Sequence, residues 1–329
     1  MPVSGATLSD CAPEGSGAEA SGHPLGSLTP LDTADGSLSL HSSHFQEAFH
    51  SSAGALAEAR AKFAQPAELQ RFGPKSTLRV LDVCVGLGYN SAALMTALEQ
   101  PRLAWWGLEL DRRPLELALA QPSFRRLWPE PVLRRLEALQ LQGSWQDSSS
   151  AGTLLWGDAR QTLTQLPARS RFDLILHDAF SPSRCPELWS EEFLSSLAQH
   201  LAPGGRLLTY SRAAAVRASL RRAGLALRSL LPAPGQRQEW SSGTLAQRPN
   251  PVEPLPEHGP GWQPLSAMEE EHLHTRAAIP YRDPHQQDAA KAIRQRRSEE
   301  QERCALESTS AWQRRWIGTS IGKSSGLSR

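Results

Sequence analysis

Leu78-Arg-Val-Leu-Asp-Val-Cys-Val-Gly-Leu-Gly-Tyr-Asn90 is the stretch whose reading decides the fold. Leu78–Cys84 is apolar and partly β-branched, and reads as a buried strand. Gly86 and Gly88 then let the backbone turn tightly and approach a ligand closely. Ser91–Gln100 reads as a helix, whose N-terminus offers free N–H groups. Strand, glycine turn and helix open an α/β sheet, or make an ordinary strand–helix turn. A dinucleotide fingerprint would need a third glycine where Ser91 stands, which speaks against NAD or FAD.

Downstream, strand and helix patterns alternate. Ala104–Leu110, Gly152–Gly157, Phe172–His177 and Gly205–Tyr210 read as strands. Pro114–Ala120, Ala159–Leu166, Pro186–Leu201 and Ala213–Ala223 read as the helices between and after them. Such alternation predicts a parallel sheet covered on both faces. Leu225–Leu231 and Glu239–Ala246 add an expected antiparallel pair. An insertion over 121–150 is expected to be helical to about Leu141 and then a Ser-rich loop.

Acids stand at three successive strand ends: Glu109, Asp158 after Gly157, and Asp178. Ligands of open α/β sheets bind outside the carboxyl ends of the strands. Glu109 can accept hydrogen bonds from ribose hydroxyls, and Asp158 from an adenine amino group. With the glycine turn, these acids argue for a nucleoside cofactor, S-adenosylmethionine (SAM).

Asp178-Ala-Phe-Ser-Pro-Ser-Arg-Cys-Pro-Glu-Leu-Trp189 is the most specific motif of the chain. With Gly86-Leu-Gly-Tyr-Asn90, Glu109 and Gly157-Asp158, it resembles the methyltransferase module of MnmC-type tRNA-modifying enzymes. Leu201-Ala-Pro-Gly-Gly205, Ser211–Arg217, Gly235–Trp240 and the lead-in Phe49–Glu58 extend the resemblance over roughly residues 37–247. The resemblance implies a Rossmann-like class I SAM-dependent methyltransferase, with a mostly parallel seven-stranded sheet and helices on both faces. It implies methylation of the 5-aminomethyl group of the wobble uridine in the anticodon stem-loop of tRNA, giving 5-methylaminomethyl-(2-thio)uridine. Cys84, Gly86, Gly88, Asn90, Glu109, Asp158, Ala159 and Asp178 would then bind the cofactor. The family usually has a glycine where Cys84 stands. The tail after Arg248 is too short for the FAD oxidase domain of bifunctional members, so a stand-alone methyltransferase is expected.

Asp178 is the candidate catalytic residue: it would accept a hydrogen bond from the acceptor amine, orient it and take its proton. Its alternative role is to hold the donor's amino group. Phe180 is expected to wall the target base, as single-stranded RNA bases stack on aromatics, whereas Trp189 is expected to pack in the core. Pro182 would shape the loop, and Tyr210, at the end of the fifth strand, is either a substrate contact or a packing residue. Arg206, Arg212, Arg217, Arg221, Arg222, Arg228 and Arg237 form a candidate patch for tRNA phosphates, or a solvated helix face. Arg212, Arg217 and Arg237 are taken as substrate contacts.

Two other readings compete. Polyamine aminopropyltransferases share the sheet and an Asp-Ala-Phe after the fourth strand, but usually carry more acids than Ser181-Pro-Ser-Arg184. A non-catalytic, methyltransferase-like subunit binding RNA or protein is the other, and the intact strand-end acids speak against it.

Composition sets outer bounds. The 329 residues are 39% hydrophobic with a formal net charge of +1. A sizeable core can form, and global charge points to no partner. Of 35 basic residues only Lys62, Lys75, Lys291 and Lys323 are lysines, which reflects composition bias or the guanidinium's suitability for forked phosphate contacts. Cys11, Cys84, Cys185 and Cys304 match no zinc or redox spacing. No metal is expected, and a reducing cytoplasm is. Neither a signal peptide nor a membrane-length apolar run is read.

Residues 1–36 have no aromatic, Lys or Arg and are expected to be disordered. Residues 37–247 are read as the methyltransferase domain with a helical lead-in. Residues 248–263 are a Pro-rich linker, and 264–329 a partly helical extension. Within that extension, Ile279–Pro284 is expected to dock on the core and Asp288–Ala305 to form a charged helix.

Overall fold

A computed structural model describes residues 23–99, 102–167, 169–232 and 241–324, with side chains to residue 316. The expectations for residues 1–22, for Arg237 and for the start of the Glu239–Ala246 strand lie outside these residues.

A small antiparallel sheet comes first, of β1 (Leu28–Asp32), β2 (Leu38–Ser42) and β3 (Glu47–Ala48). β1 lies inside the segment expected to be disordered: backbone pairing with β2 from Leu28↔Ser42 to Asp32↔Leu38 orders it without any aromatic of its own. The helical lead-in is α1 (Ala55–Glu58), which passes directly into a π-helix over Ala59–Ala64.

The main sheet then builds by alternation. β4 (Thr77–Val83) is followed by α2 (Tyr89–Ala97), and β5 (Arg102–Glu109) by α3 (Arg113–Ala120), α4 (Pro122–Arg125) and α5 (Glu130–Gln142). The expected Ser-rich loop instead holds an edge strand, β6 (Ser144–Gln146), pairing antiparallel with β7 (Ser150–Trp156). Gly152 makes this possible: a Cβ there would come within 1.8 Å of the Trp145 ring, so only glycine admits that indole. α6 (Ala159–Thr162), β8 (Phe172–His177), α7 (Glu191–His200), β9 (Leu201–Thr209) and α8 (Ala214–Arg222) follow. β10 (Ala226–Leu230) and β11 (Gly243–Gln247) form the expected antiparallel pair.

The order is β12-β10-β11-β9-β8-β4-β5-β7-β6, with β12 at Trp262–Gln263. The sheet thus has nine strands, not seven; the two additions are the short edge strands β6 and β12. β7, β5, β4, β8 and β9 run parallel. One face packs against α1, α2 and α5 around Phe63, Leu94 and Leu136, and the other against α6, α7 and α8 around Leu163, Phe193 and Val216. Because both faces are covered, central strands read as near-continuous apolar runs rather than alternating ones.

The extension contains α9 (Ala267–His272), α10 (Ala290–Arg303) and α11 (Thr309–Ser324). The segment Ile279–Pro284 docks in extended form as expected: Tyr281 bridges Ser190, and its carbonyl accepts from Glu191 N at 2.8 Å. α11 was not expected from the sequence. No helix among the described residues is long and apolar enough to cross a membrane.

Candidate active site

The chain runs outward from β4 through β5 to β7, then returns to the other side of β4 with β8. This reversal is a topological switch point, where diverging connections leave a crevice at the carboxyl ends of the strands. Register levels those ends: Val83 pairs with Leu108 on one side and His177 on the other. A cavity of about 540 Å³ opens there, lined by Cys84, Gly86, Glu109, Asp158, Ala159 and Asp178 among others.

Gly88 and Asn90 stand behind this wall. Gly88 caps α2 with φ 89°, and its Cβ position would meet Leu115 at 3.1 Å. Asn90 is buried and donates from Nδ2 to Asp178 Oδ2 at 2.7 Å, so it acts on the cavity through Asp178. Cys84 takes φ 70°, a left-handed conformation that favours glycine. Ser91, where a dinucleotide fingerprint has glycine, has its own task. Its hydroxyl donates to Asp82 Oδ2 at 2.5 Å and accepts from Trp105 Nε1 at 2.8 Å.

Glu109 accepts three backbone N–H groups: Gly86 at 2.8 Å, Leu110 at 2.7 Å and Asp111 at 2.8 Å. A carboxylate has about four lone-pair positions, so about one stays available to a ligand. Burial raises its pKa against the pull of those N–H groups. Asp158 caps α6 by accepting from Arg160 N at 2.9 Å, and grips the Arg160 guanidinium, with Nη2–Oδ2 at 2.7 Å. Burial pushes Asp178 up to about 7, with Asn90 and Lys62 working against the rise and Glu58 adding to it. At neutral pH it is therefore poised to exchange a proton.

Phe180 lines the cavity and stacks on Phe45 at 4.3 Å and 21°, with Phe49 edge-on at 4.8 Å. Trp189 is core, as expected, and its indole donates to Phe180 O at 2.7 Å. Tyr210 lines the cavity, its hydroxyl donating to Ala179 O at 2.9 Å. Pro182 and Arg212 lie off the cavity wall; Arg212 donates to Ser241 O at 2.8 Å.

Two described members of the arginine patch, Arg217 and Arg206, do not face solvent. Arg217 is buried, with Nη1 2.8 Å from Glu269 Oε1 and further bonds to Thr244, Ser241 and Gly243. It is not available to a phosphate. Arg206 is buried too and pairs with Glu68. Arg221 and Arg222 pair with Glu270 and Glu191. Residues far apart in sequence supply these acids, which a local charge count cannot see.

The sequence reading also missed the cavity roof. Phe45, Glu47, Phe49, His50, Glu58 and Lys62 all line the cavity. The available signals were the Phe45/Phe49 spacing and the Glu58/Lys62 interval of one helical turn. No group of three side chains that could hold a metal occurs among the described residues.

A family model described as S-adenosyl-L-methionine-dependent methyltransferase matches residues 126–246. The chain is 32% identical over 219 residues to the tRNA 5-methylaminomethyl-2-thiouridine biosynthesis bifunctional protein MnmC of Azoarcus sp., covering 60% of this chain and 33% of that protein. It is 29% identical over 190 residues to an uncharacterised protein of Methanocaldococcus jannaschii, covering 58% of this chain and 52% of the other. The chain thus spans about a third of the first relative's length and about half of the second's. The crystal structure of MnmC2 from Aquifex aeolicus superposes with a TM-score of 0.68 at 28% identity, covering 84% of this chain and 85% of that one. The chain carries a methyltransferase module of the MnmC type. It is a SAM-dependent methyltransferase with the class I fold.

The cavity of this methyltransferase suits SAM. Its volume of about 540 Å³ lies within the range of small-molecule pockets. Its wall places a carboxylate at the end of β5 and a second at the start of α6.

Proposed function

We propose that this methyltransferase acts on the 5-aminomethyl group of the wobble uridine in tRNA, forming 5-methylaminomethyl-(2-thio)uridine. SAM supplies the methyl group on a sulfonium. Two things support the reading: the MnmC relatives, and above all Asp178, a carboxyl pushed up to about 7 at the foot of an aromatic-walled cavity. An alkylamine must shed a proton before it can attack, and Asp178 would take that proton and pass it to water. Phe180, backed by Phe45 and Phe49, would take the uracil ring. Glu109 would hold the ribose, Asp158 and Ala159 the adenine end, and the turn from Cys84 to Gly86 the tail. Residues 37–247 would form the catalytic unit, with 264–324 as a buttress.

The test is methylation of tRNA carrying 5-aminomethyluridine, read by nucleoside mass spectrometry. A protein that binds SAM yet leaves this nucleoside unchanged would refute the reading. Asp178→Asn should keep SAM affinity and lose about 100-fold or more in turnover.

A further inference from the structure

Glu58 and Lys62 are the surprise of the cavity roof. Lys62 Nζ lies 2.9 Å from Glu58 Oε1, each side chain only 15% exposed. The switch from α1 to the π-helix at Ala59 falls between them, and π-turns inside helices recur at functional sites. Both line the same cavity as Asp178. Ion pairs of this kind add little to stability, and apolar residues would close the same wall.

We propose that Lys62, paired with Glu58, is a positioning residue that keeps the acceptor amine and Asp178 from holding a proton at the moment of attack. This rests on the amine acceptor proposed above. An alkylamine is mostly protonated at neutral pH, and an ammonium has no lone pair. A roof of carboxylates alone would bind that ammonium and keep it protonated. Lys62 neutralises Glu58 and places a fixed positive charge where a second one is unfavourable. The neutral nitrogen then gives its lone pair to the methyl carbon. The carbon–sulfur bond breaks with its electrons left on sulfur. The proton shed by nitrogen goes to Asp178 and on to water.

Of the groups around the pair, Asp178 and, behind the wall, Asp82 are raised to about 7. Burial lowers His50 to about 4 and raises Cys84 and Tyr210 well above their ordinary values, so all three stay neutral near pH 7. Asp82 lies behind the wall, bonded to Ser91. Glu109 is held by its three N–H donors, and Glu47 accepts from Ser181 N at 2.9 Å. Burial pushes Glu58 up, but Lys62 and Ser51 outweigh it and hold it ionised.

The two charges predict shifts of opposite sign. The test is the pH dependence of kcat/KM for methylation of 5-aminomethyluridine tRNA, with SAM affinity followed by calorimetry. Lys62→Met should move the acidic limb up by about one pH unit, and Glu58→Gln should move it down by a similar amount. SAM affinity should stay within about twofold, and Lys62→Arg should restore the wild-type limb. Lys62→Gln replaces the Met variant if that one does not fold. Equal loss at every pH, or shifts of one sign in both variants, would overturn the proposal while leaving the tRNA reading intact. A wild-type protein that binds SAM but does not methylate this tRNA would overturn both.

Discussion

Arg160 Nη1 donates to Asp283 Oδ2 at 2.7 Å while Nη2 of the same guanidinium holds Asp158 Oδ2 at 2.7 Å. The cofactor wall and the C-terminal extension therefore share one cation. Asp283 is fully buried and also accepts from the backbone of Gln287 and Asp288. Its position orients Arg160, and Arg160 orients Asp158.

Asp283→Asn should therefore weaken SAM binding although Asp283 is not on the cavity wall. Loss of one charge-assisted bond behind Asp158 should cost about tenfold in affinity, ~1.4 kcal/mol. Calorimetry checks this. An unchanged affinity would show that Arg160 alone suffices to hold Asp158.

Cys84 sits at φ 70°, a left-handed conformation that favours glycine. A non-glycine residue in this region costs about 1 kcal/mol or more. Cys84→Gly should raise stability by about 1 kcal/mol in denaturant unfolding, less what glycine loses in the unfolded chain. A lower midpoint would show that thiol packing outweighs the strain.

Asp82 is fully buried, its Oδ1 has no hydrogen-bond partner, and burial raises its pKa from 3.8 to about 7. The folded protein thus binds a proton that the unfolded chain releases near 3.8. The stabilisation is complete below that value and is lost as pH rises through about 7. Asp82→Asn should flatten the fall in melting temperature between about pH 4 and pH 7. Asp178 contributes in the same direction and will leave a residual slope.

Arg217 and Glu269 are each 1% exposed and 2.8 Å apart. Arg217→Met would strand a buried carboxylate and should destabilise the fold by about 3–5 kcal/mol. Adding Glu269→Leu should recover most of that loss. The salt dependence of tRNA binding should not change in the double variant, because Arg217 faces the core. A flattened salt slope would return Arg217 to the RNA interface.

Much of the catalytic side of the sheet was legible from local pattern. Buried parallel strands are continuous apolar runs, and Phe172–His177 is bounded as read. Acids at strand ends become neighbours whenever the strands lie level, so Glu109, Asp158 and Asp178 meet on one cavity. The short edge strands left no such pattern: β6 depends on Trp145 seated over Gly152, a contact across a turn rather than a run of residues.

The buttress and the roof carried weaker signals. Ser266 and Glu269 spell a capping box, and both of its hydrogen bonds form. Nothing in that motif announces that the same Glu269 also neutralises Arg217. Lys62 and Glu58 stand one helical turn apart in the chain, and only the fold puts both on the cavity wall.

The sequence by itself determined the alternating parallel sheet, the glycine turn and the three strand-end acids, because each follows from periodicity and position within one segment. Tertiary structure alone decided which charges are free to act. It buried Arg217, tied Arg160 to Asp283, and placed Lys62 and Glu58 in the cavity with Asp178. The reason is electrostatic: a charge's role depends on its desolvation and its partner, and both come from segments distant in the chain.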